Sequence, residues 1–238
     1  MYIIHHLLEK DKQDQARKYE KERRLIGLLD SLISLIIILL FYFSGLSKQL
    51  ANLLPESSAI WAFCIYIFSF TLLTFLIGLP TGYYSGYKRE HFWGFSNQTV
   101  KSWLWDQLKS LMVGLVISLI LLGLLFLIMS LWPQNWWLIA AIAVALVSII
   151  FATIFPVIIM PLFNKYSPIE TGELTERLSS LLQRTGLKAS GFFMEDMSKQ
   201  TKKENAFLGG LGRTRRVVLG DNLINNMSTA EIESVIAH

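Results

Sequence analysis

The chain has 238 residues, 53% of them hydrophobic, a positive mean hydropathy and a formal charge of +4 at pH 7. So many apolar residues gathered into unbroken runs exclude an ordinary water-soluble domain. Basic residues that follow the ends of those runs, with no binding motif beside them, exclude a nucleic-acid partner, and a single cysteine, Cys64, excludes a disulfide framework.

Residues 1–24 form a charged segment ending in "EKDKQDQARKYEKERR" (9–24), which reads as a solvated helix. It is too polar for a cleavable signal peptide, because it lacks an apolar h-region. Four candidate spans follow within a membrane region of residues 25–160: about 25–46, 59–79, 111–132 and 136–155. Each has about 20 residues, enough at roughly 1.5 Å per residue to cross a hydrocarbon core of roughly 30 Å. Asp30 interrupts the first near its start and is placed at the interface, although intramembrane carboxylates are commonly functional. Lysines and arginines number seven, one, four, none and ten in the successive segments between spans. That alternation predicts four crossings with both ends cytoplasmic. Trp103, Trp105, Trp132, Trp136 and Trp137 lie at span ends, where an aromatic belt is expected. The lipid bilayer is therefore the first partner.

Residues 161–238 are polar and mixed in character. Leu174, Leu178, Leu181 and Leu182 recur at i, i+4, i+7 and i+8, a helix stripe with Gly186 placed to cap its C-terminus. "FFMEDM" (192–197) reads as a short strand, and "NAFLGGLGRTRRVVLGDNLI" (205–224) as two strands around a glycine-containing turn. Ser228 and Glu231 then make a capping box, and Ile232, Val235 and Ile236 give the helix it opens one apolar face. Helix, strand, hairpin and helix amount to the start of a small α+β unit, too small for a complete catalytic domain. The last helix reaches His238 without a glycine, proline or asparagine to stop it.

A histidine alone is a surface or packing residue more often than a ligand. Zinc proteases of the H-E-x-x-H type, however, place two histidines one helical turn apart so that both face one metal. A hairpin followed by an apolar helix that reaches a histidine fits the approach to that motif. Three separated stretches sharpen the reading: "GFSNQT" (94–99) with Trp105, Asp106 and Lys109 beyond it, "PLFNKYSPIETGEL" (161–174), and the 205–224 hairpin followed by "VIAH". Their order and spacing resemble the type I CAAX prenyl protease family, with serine in "GFSNQT" where asparagine is commoner.

The resemblance implies a multi-pass α-helical membrane protein followed by a zincin-like metalloprotease domain. It implies one zinc ion, with His238 as the first metal ligand, and a peptide or protein substrate, prenylated in the eukaryotic members. Asn205 and Ala206 match the edge strand on which such enzymes lay substrate backbone. The catalytic glutamate, the second histidine and the downstream glutamate ligand are expected beyond residue 238, so this stretch by itself is expected to be inactive. Relatives have five spans before the zinc helix, and the count of four agrees with loss of the first. Expected locations are the endoplasmic reticulum membrane of a eukaryote or the plasma or inner membrane of a prokaryote, with CAAX processing or membrane-protein turnover as the task. The alternative is a non-catalytic four-helix scaffold or adaptor, against which stand the uncapped helix, the incomplete domain and a hairpin with no sheet to join. A transporter is disfavoured because the spans lack paired Gly/Pro-interrupted helices.

Overall fold

The structure is a computed structural model that describes residues 10–54 and 59–237. Its contacts divide the chain into two compact units, with the boundary between Gly94 and Phe95. Among the described residues, four helical stretches are long and apolar enough to cross a membrane.

In the first unit, helix α1 spans Lys10–Phe43 without a break, so the charged head and the first apolar run are one helix. The head's first nine residues lie outside the described residues. Gly45, at φ 78°, ends this helix and opens the short α2 (Leu46–Asn52), since a left-handed turn is easiest for glycine. Helix α3 (Ala59–Gly82) contains Pro80, passes into a π-helical turn at Tyr83–Lys88, and ends in the short α4 (Arg89–Phe92). Proline removes one helical donor and crowds the turn before it, whereas the π-helical turn lies on its C-terminal side. Phe41 packs on Phe70 with ring centres 5.0 Å apart. Asp30 accepts a 2.8 Å hydrogen bond from the Thr81 hydroxyl. Nearer the charged end, Tyr19 donates to Glu90 at 2.8 Å and the Trp93 indole to Glu22 at 2.9 Å.

The second unit begins with α5 (Val100–Leu131), capped by Thr99, whose hydroxyl accepts from the Ser102 N–H at 3.2 Å. Its 32 residues extend about 48 Å, longer than a bilayer core. The polar first turns, with Lys101, Asp106 and Lys109, precede the apolar run. Trp103 in those turns is buried at 5% exposure, so protein rather than the membrane interface surrounds it. Trp105, Trp132, Trp136 and Trp137 are exposed. Helix α6 (Trp136–Ile154) gives way to a π-helical turn at Phe155–Ile159 and a 3-10 turn at Met160–Leu162, at Pro156 and Pro161.

A four-stranded sheet follows in the order β1 (Tyr166–Pro168), β2 (Phe192–Glu195), β4 (Arg216–Gly220), β3 (Ala206–Gly209). β2 and β4 are parallel, and the two outer pairings are antiparallel. The hairpin thus does have a sheet to join, which corrects the sequence expectation. Strand β1 has no counterpart in the sequence reading: its three residues include Pro168, which an edge strand tolerates. Helices α7 (Glu173–Arg184), α8 (Asp221–Asn226) and α9 (Thr229–Ala237) cover one face. There Leu178, Leu182, Val217, Leu219, Leu223 and Ile232 form the core, each at most 6% exposed. Leu174 and Leu181 pack at its edge, and Gly186 sits at φ 70° just past α7, as its capping role requires.

Candidate active site

Helix α9 is the element that would carry His238. The Ser228 N–H donates to the Glu231 carboxylate at 2.8 Å, and the Glu231 N–H donates back to the Ser228 hydroxyl at 3.4 Å. This satisfies two donors that a helix start leaves orphaned. The Ser228 hydroxyl and then its N–H hold the Glu231 carboxyl below the ordinary carboxylate range. Ile232, 2% exposed, anchors the apolar face in the core. Arg184 of α7 reaches Glu233 at 3.1 Å, joining the two helices on the outside. The helix ends at Ala237, and His238 lies outside the described residues.

Helix α9 packs against β3 as well as α7. β3 is the last strand of the sheet, so its outer edge carries no partner strand among the described residues. The Gly220 N–H donates to the Asn205 carbonyl at 2.8 Å. Alternation along an antiparallel ladder then turns the backbone groups of Phe207 and Gly209 toward β4 and those of Ala206 and Leu208 outward. The two residues picked from sequence therefore differ. Ala206 offers its backbone to the open edge while its side chain packs toward the core. Asn205 has its carbonyl committed to the sheet and its side chain exposed. On the other face of β3 an apolar cleft of about 530 Å³ is lined by Phe151, Phe155, Pro156, Met160, Asn205 and Phe207, among others. A Cβ at Gly209 would come within 3.2 Å of the Pro156 ring, so glycine lets the end of the fourth membrane helix approach the strand.

The segment leading into β3 is clasped by the "GFSNQT" loop, a role that sequence reasoning did not assign. The Asn97 N–H donates to the Gln200 carbonyl at 3.0 Å and its side-chain amide to the Ser198 carbonyl at 2.8 Å. In return the Lys202 N–H donates to the Phe95 carbonyl at 2.8 Å. Beneath the loop, one carboxylate oxygen of Asp106 accepts from Gln98 at 2.6 Å and from Gln200 at 3.1 Å, while the other meets Lys109 at 3.1 Å. From the opposite side the Asn222 amide donates to the carbonyls of Thr201 and Lys203 at 2.7 and 3.0 Å. The only trace of this in the sequence is the i, i+3 pair Asp106 and Lys109 at the polar start of an otherwise apolar helix.

The "PLFNKYSP" stretch grips β2 in a similar way. Asn164 donates to the buried Glu195 carboxylate at 2.6 Å, and the Lys165 N–H donates to Asp196 at 2.6 Å. The Tyr166 hydroxyl is buried beside the Glu195 carboxylate. Burial first, and the neighbouring Glu195 carboxylate next, push its ionisation above the ordinary tyrosine value.

No group of three histidine, cysteine, aspartate or glutamate side chains suited to a metal exists among the described residues.

Comparison with known proteins fits this geometry. Residues 3–165 match the family described as CAAX prenyl protease N-terminal, five membrane helices, and residues 168–238 match peptidase family M48. CAAX prenyl protease 1 of Saccharomyces cerevisiae is 39% identical over 167 residues, 70% of this chain and 37% of that protein. The CAAX prenyl protease 1 homolog of Dictyostelium discoideum is 33% identical over 228 residues, 92% of this chain and 52% of that protein. The crystal structure of S. mikatae Ste24p superposes with a TM-score of 0.84 at 30% identity, covering 97% of this chain and 56% of the other. The chain thus spans about half, or less, of the length of these relatives. With both of its parts matched in order, the four membrane-length helices by one family description and the sheet with its open edge by the other, the chain belongs to the type I CAAX prenyl protease family.

Proposed function

We propose that the full-length protein is an integral-membrane zinc metalloendopeptidase that cleaves extended peptide segments near the membrane surface. The observation that carries this reading is the pairing of α9, which leads into His238, with the unpartnered edge of β3 beside it. An edge strand offers regularly spaced N–H and C=O groups to an extended chain. Ala206 and Leu208 would bind substrate backbone, and the exposed Asn205 amide would orient it at the start of the strand. His238 would be the first metal ligand, with the remaining ligands and the general base in the part of the relatives that this chain does not span. When bound, zinc would supply Lewis-acid polarisation and an acidified water.

The substrate class follows from the relatives' names: prenylated proteins with a CAAX C-terminus, the apolar cleft beside β3 receiving apolar side chains of that segment. Both ends of the described chain would face the cytoplasm, by the distribution of lysine and arginine. The endoplasmic reticulum membrane would be the site in a eukaryotic cell and the plasma or inner membrane in a prokaryotic one.

The test is cleavage of a farnesylated CAAX peptide by the full-length protein in proteoliposomes. Cleavage should stop with 1,10-phenanthroline, return with added zinc, and be absent from His238→Ala. Chelator-insensitive cleavage, or an unimpaired His238→Ala enzyme, would sink the reading.

A further inference from the structure

We propose that Asp106 is a positioning residue for the peptide-binding edge, acting through Gln98 and Gln200. The inference rests on β3 being the strand that binds substrate. An edge strand receives no restraint from its open side, and β3 is only four residues long. Its position is therefore set by β4 on one side and by whatever holds the chain leading into it. That chain, 198–203, has no strand or α-helix: it leaves a 3-10 turn at Met197–Lys199 and makes one isolated bridge, Thr201 to Ser96. It is fixed instead by the loop at 95–99 and by Asp106 beneath.

Asp106 is the point on which this arrangement converges. It stands on the rigid start of α5, and its carboxylate is mostly shielded from solvent. One oxygen accepts from both glutamine amides, so the loop and the segment it clasps are tied to the same atom. Lys109, one turn further along the helix, holds the second oxygen and so fixes the rotamer of the carboxylate. Charge-assisted bonds of this kind are the stronger class. Four residues separate Gln200 from Asn205, and the Asn222 amide grips the stretch between them at two carbonyls. The membrane helix thereby sets where the peptide edge stands before any peptide arrives, which lowers the ordering cost of binding.

Amide hydrogen exchange of the full-length protein in nanodiscs tests this, with wild type, Asp106→Asn, and the double variant Asp106→Asn/Gln200→Glu. Asparagine keeps the shape but, with its oxygen held by Lys109, turns an N–H₂ toward both glutamine donors. Adding Gln200→Glu would restore the link with donor and acceptor exchanged. We expect Asp106→Asn to raise exchange at the hydrogen-bonded amides within 200–207, among them Gln200, Thr201 and Lys202, by about tenfold, α7 and β4 to change less than about twofold, and the double variant to recover. An uncleavable farnesylated CAAX peptide should protect Ala206 and Leu208 in wild type and need about tenfold more peptide in Asp106→Asn. For the cleavable peptide, KM should rise accordingly with kcat little changed. Unaltered exchange at 200–207, or an equal rise throughout the sheet, would overturn the assignment. If the exchange contrast holds but the peptide leaves Ala206 and Leu208 unprotected in wild type, the edge-strand reading is what has failed, and the positioning role falls with it.

Discussion

The Gly220 N–H donates to the carbonyl of Asn205 at 2.8 Å, and this bond sets the phase of the whole hairpin. Because hydrogen-bonded and non-bonded pairs alternate, Ala206 keeps its N–H for the open edge while Phe207 spends its own on β4. Proline substitution separates the two positions. Ala206→Pro removes an outward N–H, and the fold should change in stability by less than about 1 kcal/mol, because prolines are accepted on a free edge. The KM for a peptide substrate should rise about tenfold, the worth of one hydrogen bond. Phe207→Pro removes an inward N–H and should destabilise the sheet by roughly 1–3 kcal/mol. Thermal unfolding and peptidase kinetics of the two variants, side by side, decide it. The same loss of stability from both would mean that the phase is wrong.

The turn between β3 and β4 contains two glycines with positive φ, and they should respond differently. Gly210 sits at φ 87°, and a Cβ there would run into the backbone of Thr214. Gly212 sits at φ 54° with open space around it. Alanine at Gly212 therefore meets only the backbone preference, about 1 kcal/mol. Alanine at Gly210 meets that preference plus a carbonyl that cannot move without opening the hairpin, so its loss should exceed that of Gly212→Ala by at least about 1 kcal/mol. Urea titration of both variants checks the order, and equal losses would count against the turn geometry.

What the sequence made legible were features set by neighbours along the chain. The Ser228–Glu231 box, the leucine stripe of α7 with Gly186 after it, and the two strands of the hairpin need only local spacing, and the structure carries each of them. The site strand was readable only as a motif. Nothing in "NAFLG" says which backbone groups face outward, since that depends on a bond to Gly220, fifteen residues on. The Asp106 clasp was illegible for the same reason, with Gln200 lying 94 residues away. Strand β1 has too few residues to show alternation and takes its conformation from pairing with β2. Trp103 illustrates the opposite error, an aromatic residue at a span end that the protein buries instead.

Ile232 joins the helix that leads to His238 to the rest of the domain. At 2% exposure it is packed among Leu178, Leu182, Leu219 and Leu223. Truncation to alanine in such a site costs roughly 2–5 kcal/mol, the range depending on how far the cavity collapses. Ile232→Ala should therefore lower the midpoint of unfolding strongly. Val235, on the same helix but 40% exposed, should tolerate alanine with a loss below about 1 kcal/mol. A small effect at Ile232, or a larger one at Val235, would show that α9 is rotated from the orientation found here.

Tyr166 supplies a prediction in pH. Its hydroxyl is buried, and burial together with the hydrogen bond and charge of the Glu195 carboxylate raises its ionisation above the ordinary tyrosine value. A group whose pKa is higher in the folded protein than in the unfolded chain favours folding fully below the unfolded value, near 10. Above that pH the unfolded chain releases the proton and the folded protein does not, so stability falls as pH rises toward the folded value. Tyr166→Phe removes this dependence along with the hydroxyl's interaction with Glu195. At neutral pH the variant should differ from wild type by no more than about 1 kcal/mol, the net worth of one hydrogen bond. Between about pH 10 and pH 11 it should lose less stability than wild type. Thermal unfolding in detergent at both pH values measures the difference. Parallel alkaline losses in the two proteins would mean that other groups set the pH dependence.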